Sequence, residues 1–325
     1  MNNAYLAVDF FFLLSGFVIA HAYDRRLRSD LTVTAFLRAR LIRLWPLFAL
    51  GCALGSIAYL AHGGTGGLAT RVVYILPNFA MLPAAPAASP SSYLFPVDIP
   101  AWSLFFEIAA NILFALLARH LRTRRLAVLV AAMAAVVIAA AFARGNLGGG
   151  DTWDSLANGL ARVGFSFFAG VLLFRVLRPM ARREEASQTG LSLLLGAILI
   201  AVFQFRAPVS WRWVYDLTFV LAVSPLVVAL GARLSVSPWF ERRYLQFGLV
   251  SYALYVLHEP LASYVTAVAR SFGSVTSIDD PVLLALKIII VVPVSCAAAY
   301  LYDAPVRRWL SGQRRGAVVE TNIGR

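Results

Sequence analysis

Apolar residues fill this chain in nine long runs, at about 4–22, 44–61, 101–118, 126–143, 158–176, 190–206, 213–231, 247–269 and 282–302. Each run is roughly 17–25 residues, the length a helix needs to cross a lipid core. Short arginine-rich loops separate them. The pattern predicts an all-α fold, a polytopic integral membrane bundle of about nine transmembrane helices. Residues 1–310 read as one membrane-embedded domain and 311–325 as a basic, disordered tail. No run reads as a cleavable signal peptide, because Met1 lacks a basic leader and the first run holds Asp9.

The informative positions are the polar ones inside these runs. In the third, AWSLFFEIAANILFALLA, Ser103, Glu107 and Asn111 recur every four residues, so a helix puts hydroxyl, carboxylate and amide on one stripe. A charge in lipid is costly, and the stripe therefore faces other helices or a polar cavity. A polar zipper that only locks helices together is the plain alternative. In the eighth run, Ser251, Tyr255 and His258 fall at i, i+4, i+7, and Tyr252, Tyr255 and Glu259 at i, i+3, i+7. Pro260 is placed to kink that helix.

Composition agrees with the pattern. The chain is 60% hydrophobic and only 14% charged, with mean hydropathy +0.74, far from the average of soluble domains. Cys52 and Cys296 lie in apolar runs with no metal-ligand spacing, so neither a metal site nor a disulfide framework is expected. The net charge of +13 points to membrane lipids rather than nucleic acid, because the arginines sit in loops. Of the 29 basic residues, 22 fall on one side of a nine-span topology. By the positive-inside rule that side is cytoplasmic, the N-terminus outside and the C-terminus inside.

Arg38, Arg40 and Arg43 sit in FLRARLIRLWP, read as a cytoplasmic loop before the second run. Arginine there can grip phosphate through paired donors; anchoring to anionic lipid is the simpler reading on composition alone. The proline-rich segment 62–100 is the longest external loop, and its stretch 72–82 is apolar enough to re-enter the membrane. Asp303, beside Arg307 and Arg308, reads as an ion pair or cap. By helical rise, Asp9 lies about 6 Å and Glu107 about 8 Å below the outer surface, and His258 about 16 Å from the inner one. The acids thus gather in the outer half and the arginines at the inner face, the arrangement a group transfer across the membrane needs.

Several of these stretches together resemble the membrane-bound acyltransferase 3 family: AVDFFFLLSGFVIA (7–20), FLRARLIRLWP (36–46), IPAWSLFFEIAANILF (99–114), FFAGVLLF (167–174), VSYALYVLHEP (250–260) and YDAPVRRWL (302–310), in the family's order. The resemblance implies an integral enzyme of the bacterial cytoplasmic membrane. Such an enzyme moves an acyl group, often acetyl, from cytoplasmic acyl-CoA to a hydroxyl of a sugar, polysaccharide or lipid-linked glycan. Acyl-CoA is then a co-substrate and no resident cofactor is implied. Arg38, Arg40 and Arg43 match the family's basic cluster at the donor site. Trp102, Ser103 and Glu107 match its WSL–E element, and Ser251, Tyr252, Tyr255 and His258 its SY–Y–H element. Asp303 stands where the family usually has Glu.

The family also has a helix ahead of the first run, with a basic residue and, about three turns later, a histidine taken as the base. The chain begins almost directly in the next helix, so that helix is expected to be missing and activity to be poor without it. Asp9, Glu107 and His258 are the remaining candidates for proton transfer, with His258 best poised near neutral pH. A glycan or lipid transporter or flippase is the competing class, for which intramembrane acids and a broken helix are also expected, and a catalytically inactive, truncated acyltransferase is the other alternative.

Overall fold

A computed structural model describes residues 3–61, 67–86, 92–177, 187–272 and 280–312. The described residues are helical, apart from connecting turns and one isolated antiparallel bridge, Tyr93 to Thr152. In order the helices are α1 (Leu6–Ser29), α2 (Val33–Ala61), α3 (Leu68–Phe79), α4 (Ala101–Leu117), α5 (Thr123–Arg144), α6 (Leu156–Leu177), α7 (Thr189–Gln204), α8 (Arg212–Thr218), α9 (Ser224–Gly231), α10 (Pro238–Ser271), α11 (Pro281–Ala297) and α12 (Ala304–Leu310). A π turn, Phe219–Val223, joins α8 to α9, and another, Ala298–Asp303, joins α11 to α12.

Each apolar run falls on a helix. Among the described residues, six helical segments are long and apolar enough to cross a membrane: Leu6–Ser29, Val33–Ala61, Thr123–Arg144, Trp153–Leu177, Val209–Gly231 and Pro281–Leu310. α4 and α7 are shorter apolar helices, and the 34-residue α10 carries more polar residues along its length. This is a polytopic helical membrane protein. The tail lies outside the described residues from 313 onward.

One boundary differs from the sequence reading in a way that matters. α2 begins at Val33, not at 44, so Arg38, Arg40 and Arg43 stand on a helix rather than in a loop. Phe36, Leu44, Leu47 and Phe48 bury one side of this segment. Pro46 lies inside the helix, and the Tyr252 hydroxyl donates to the nearby Leu44 carbonyl at 2.6 Å. A neighbouring helix thus serves a carbonyl close to the proline, whose missing N–H weakens the helix ladder there.

α1 and α6 form the tightest pair. A side chain at Gly16 would collide with the Phe167 backbone, and one at Gly170 with the Leu13 carbonyl. Lipid offers no hydrophobic drive for helix association, so close backbone approach over glycine supplies the contact. Two buried ion pairs pin the same interface. Arg162 holds Asp9 through Nη2 at 2.7 Å, and Arg175 holds Asp24 through Nη2 at 2.6 Å. Their order along both helices makes α1 and α6 parallel, as the first and fifth spans must be. α2 and α10 are parallel as well, through Tyr252 to Leu44 and Tyr264 to Leu54.

Candidate active site

The α4 stripe is buried throughout: Ser103, Glu107 and Asn111 are each 1% exposed or less. Three helices converge on it. Glu107 Oε1 accepts from Ser15 Oγ of α1 at 2.7 Å and from Arg40 Nη2 of α2 at 2.9 Å. Glu107 Oε2, Arg40 Nε and both amide atoms of Asn111 are buried with no hydrogen-bond partner in the protein. Buried polar atoms are rarely left unpaired, so this cluster has unspent capacity to bind something polar.

Arg43 continues the cluster along α2. Its guanidinium stacks over the Tyr252 ring at 5.4 Å, and Nη1 is buried without a partner. Near the start of α4, Ser103 and Tyr255 share a 2.6 Å hydrogen bond. Both hydroxyls also reach the Pro100 carbonyl, at 3.1 and 3.0 Å. Asp303, on the second π turn, pairs with Arg307 at 2.9 Å, as the sequence suggested.

His258 faces elsewhere. Its Nδ1 lies 2.7 Å from the Tyr255 carbonyl. A carbonyl can only accept, so Nδ1 carries a proton and donates it. His258 lines an apolar groove of about 530 Å³ between α10 and α11, together with Ser251 and Lys287. Ser251 is exposed and bonds the Gly248 carbonyl at 3.2 Å.

One sequence-based placement is corrected. The arginines and acids were expected at opposite membrane faces, yet Arg40 bonds Glu107 directly. The extended α2 carries Arg40 into the bundle, where α4 meets it. Asp9, another of the candidate acids, has both of its oxygens bonded by Arg162. Arg162 also donates to the Gly149 and Tyr5 carbonyls and lies 5.3 Å from the Trp102 ring. Trp102 therefore belongs to this packed ionic network, while Ser103 beside it faces Tyr255. Arg38 is exposed and apart from the cluster.

Sequence reasoning missed Ser15, Arg162 and Asp98. Arg162 had a signal, a charge inside an apolar run that needs a partner. Asp98 lies in the loop before α4, is 1% exposed, and has no hydrogen-bond partner for either oxygen. Burial, with Glu259 adding to it, pushes its carboxyl well above the usual range. Ser15 had none, because single serines in apolar helices are common.

A family model described as an acyltransferase domain matches residues 2–301. The chain belongs to the acyltransferase 3 family. Over 155 residues, 43% of this chain, it is 38% identical to "Protein 2 in picA locus" of Rhizobium radiobacter, covering 80% of that protein. Over 134 residues, 41% of this chain, it is 34% identical to "Exopolysaccharide production protein ExoZ" of Rhizobium meliloti (strain 1021), of which only 40% is covered. No solved structure matches the chain. In this acyltransferase the stretch AWSLFFEIAAN of α4 supplies the buried stripe, and Arg40 of α2 supplies its ion-pair partner.

Proposed function

We propose that this chain is an O-acyltransferase of the bacterial cytoplasmic membrane, moving an acyl group, acetyl in the simplest case, from acyl-CoA to a sugar hydroxyl. The observation that carries the reading is the Arg40–Glu107 contact: a buried cation and carboxylate, bonded at 2.9 Å, each with a further polar atom unspent. Buried polar atoms are rarely left unpaired, so the two free atoms support a polar ligand at this place. The name of the Rhizobium meliloti relative speaks of exopolysaccharide production, which supports a carbohydrate acceptor.

In this reading Arg40 and Arg43 approach the donor from the cytoplasmic side, where guanidinium groups suit phosphate and a thioester oxygen. Ser103, Tyr255 and Asn111 orient the acceptor. Glu107 Oε2 receives its hydroxyl proton. The acceptor oxygen bonds to the acyl carbon, the carbon–sulfur bond breaks, and the proton ends on the CoA thiol. His258 Nε2 is the alternative proton acceptor, approached from the α10–α11 groove. The N-terminus lies outside and the C-terminus in the cytoplasm.

The test uses the full chain in lipid nanodiscs with acetyl-CoA and a bacterial exopolysaccharide. Acceptor-dependent thiol release, with acetyl esters on the recovered polysaccharide, is expected. Export of unmodified glycan or lipid in proteoliposomes, with no ester formed, would contradict it.

A further inference from the structure

α10 bears a second polar stripe that the proposed chemistry does not use. Glu259, Ser263, Thr266 and Arg270 follow at i, i+4, i+7 and i+11, and all four line a cleft of about 760 Å³. α2 forms the facing wall, tied to α10 by the Tyr264 hydroxyl on the Leu54 carbonyl at 2.7 Å. The loop before α4 closes the base: at Gly55 a side chain would collide with the Val97 carbonyl, so loop and helix touch backbone to backbone. Asp98 is buried within that loop. Lys287 of α11 completes the lining.

The charges are unusual for such a place. Lys287 lies inside the apolar sequence of α11, LLALKIIIVV, about 9 Å from its start by helical rise. A cation there is costly unless something answers it. Among the described residues, Lys287, Arg270 and Glu259 form no ion pair. The Ser263 and Thr266 hydroxyls donate to carbonyls of their own helix at 2.7 and 2.8 Å, which leaves their lone pairs free to accept. The cleft therefore offers two unanswered cations and, deeper, a set of acceptors for hydroxyl protons. Its deep end stops one turn of α10 from Tyr255, which bonds Ser103 of the active-site stripe.

We propose that this cleft is the entry site for the acyl acceptor and that it selects an acidic glycan, a sugar bearing carboxylate or phosphate. The anion engages Lys287 and Arg270, and the sugar hydroxyls engage Glu259, Ser263 and Thr266. This rests on the acyltransferase reading and adds the substrate's charge to it. The alternative is that Lys287 only reaches along its apolar stem to the membrane surface.

Binding, not turnover, tests it. The full chain in phosphatidylcholine nanodiscs is titrated with a glucuronate-containing tetrasaccharide and with a neutral glucose tetrasaccharide. The acidic sugar is expected to bind at least about tenfold tighter. Lys287→Met should remove most of that preference, leave the neutral sugar unchanged, and fold well because it places an apolar residue in an apolar helix. Lys287→Arg should retain it. Equal affinity for the two sugars, or no effect of Lys287→Met, overturns the proposal. So does acquisition of phosphatidylglycerol from mixed nanodiscs without binding of the acidic sugar, which would assign the cations to lipid. Acetyl-CoA binding in the same preparation reports separately on the acyltransferase reading, which stands or falls without the cleft.

Discussion

Arg40 of α2 bonds Glu107 of α4 at 2.9 Å, and Ser15 of α1 bonds the same carboxylate oxygen at 2.7 Å. Three helices thus meet at one atom, and the other oxygen of that carboxylate has no partner in the protein. The contact joins two sequence motifs that lie 67 residues apart.

Glu107→Gln keeps the shape and the hydrogen bonds to Oε1 but removes the charge. Transfer should fall about a hundredfold or more, the contribution of a general base, with accumulation in the membrane near wild type. His258→Ala should cost less. A larger loss for His258→Ala than for Glu107→Gln, measured as acceptor-dependent thiol release, would move the base to the α10–α11 groove.

Asp9 and Arg162 are expected to act on stability rather than on turnover. Arg162→Ala leaves a buried carboxylate unanswered, at a cost of about 3–5 kcal/mol. Thermal unfolding in detergent should show the loss, and Asp9→Asn should be milder because it leaves a neutral group beside the guanidinium. If Asp9→Asn instead proves stable and inactive, Asp9 returns to the catalytic site.

Asp98 should make stability depend on pH. Its folded-state carboxyl titrates above the ordinary value, through burial first and Glu259 second. The folded protein then holds a proton that the unfolded chain has released. Stability therefore falls as pH rises above the ordinary carboxylate range, until the folded group itself ionises. Melting curves of wild type should drop across that window, and those of Asp98→Asn should stay flatter. Parallel curves for the two proteins would remove Asp98 as the source.

Much of the fold was legible because membrane spans are written in hydropathy alone. All nine runs became helices, and the parallel contacts of α1 with α6 and of α2 with α10 fit their odd and even places in the chain. The first turns of α2 were not legible, because an arginine lowers local hydropathy whether or not a partner awaits it. Arg40 has Glu107, and no local pattern announces a partner so distant. The same holds for Asp9 and Arg162, 153 residues apart. The stripe Ser103–Glu107–Asn111 was readable as a buried face because helical periodicity is local. The roles of the two tyrosines of α10 were not separable, because Tyr252 meets α2 while Tyr255 both bonds Ser103 of α4 and borders the groove formed with α11.

Orientation has its own check. In a chain with Cys52 and Cys296 replaced by alanine, Arg206→Cys should label from outside intact cells. Arg124→Cys should label only after permeabilisation. The reverse pattern would invert the assignment of donor and acceptor sides.

The most direct test of the central claim is acetyl-CoA affinity, by titration into nanodiscs holding wild type, Arg40→Met, Arg43→Met or Arg38→Met. Arg40 and Arg43 lie in the cluster and Arg38 is exposed outside it. A loss of about tenfold or more for Arg40→Met and Arg43→Met is expected, with little change for Arg38→Met. Unchanged affinity in well-folded Arg40→Met and Arg43→Met proteins would contradict the account and leave the Arg40–Glu107 contact as a helix lock.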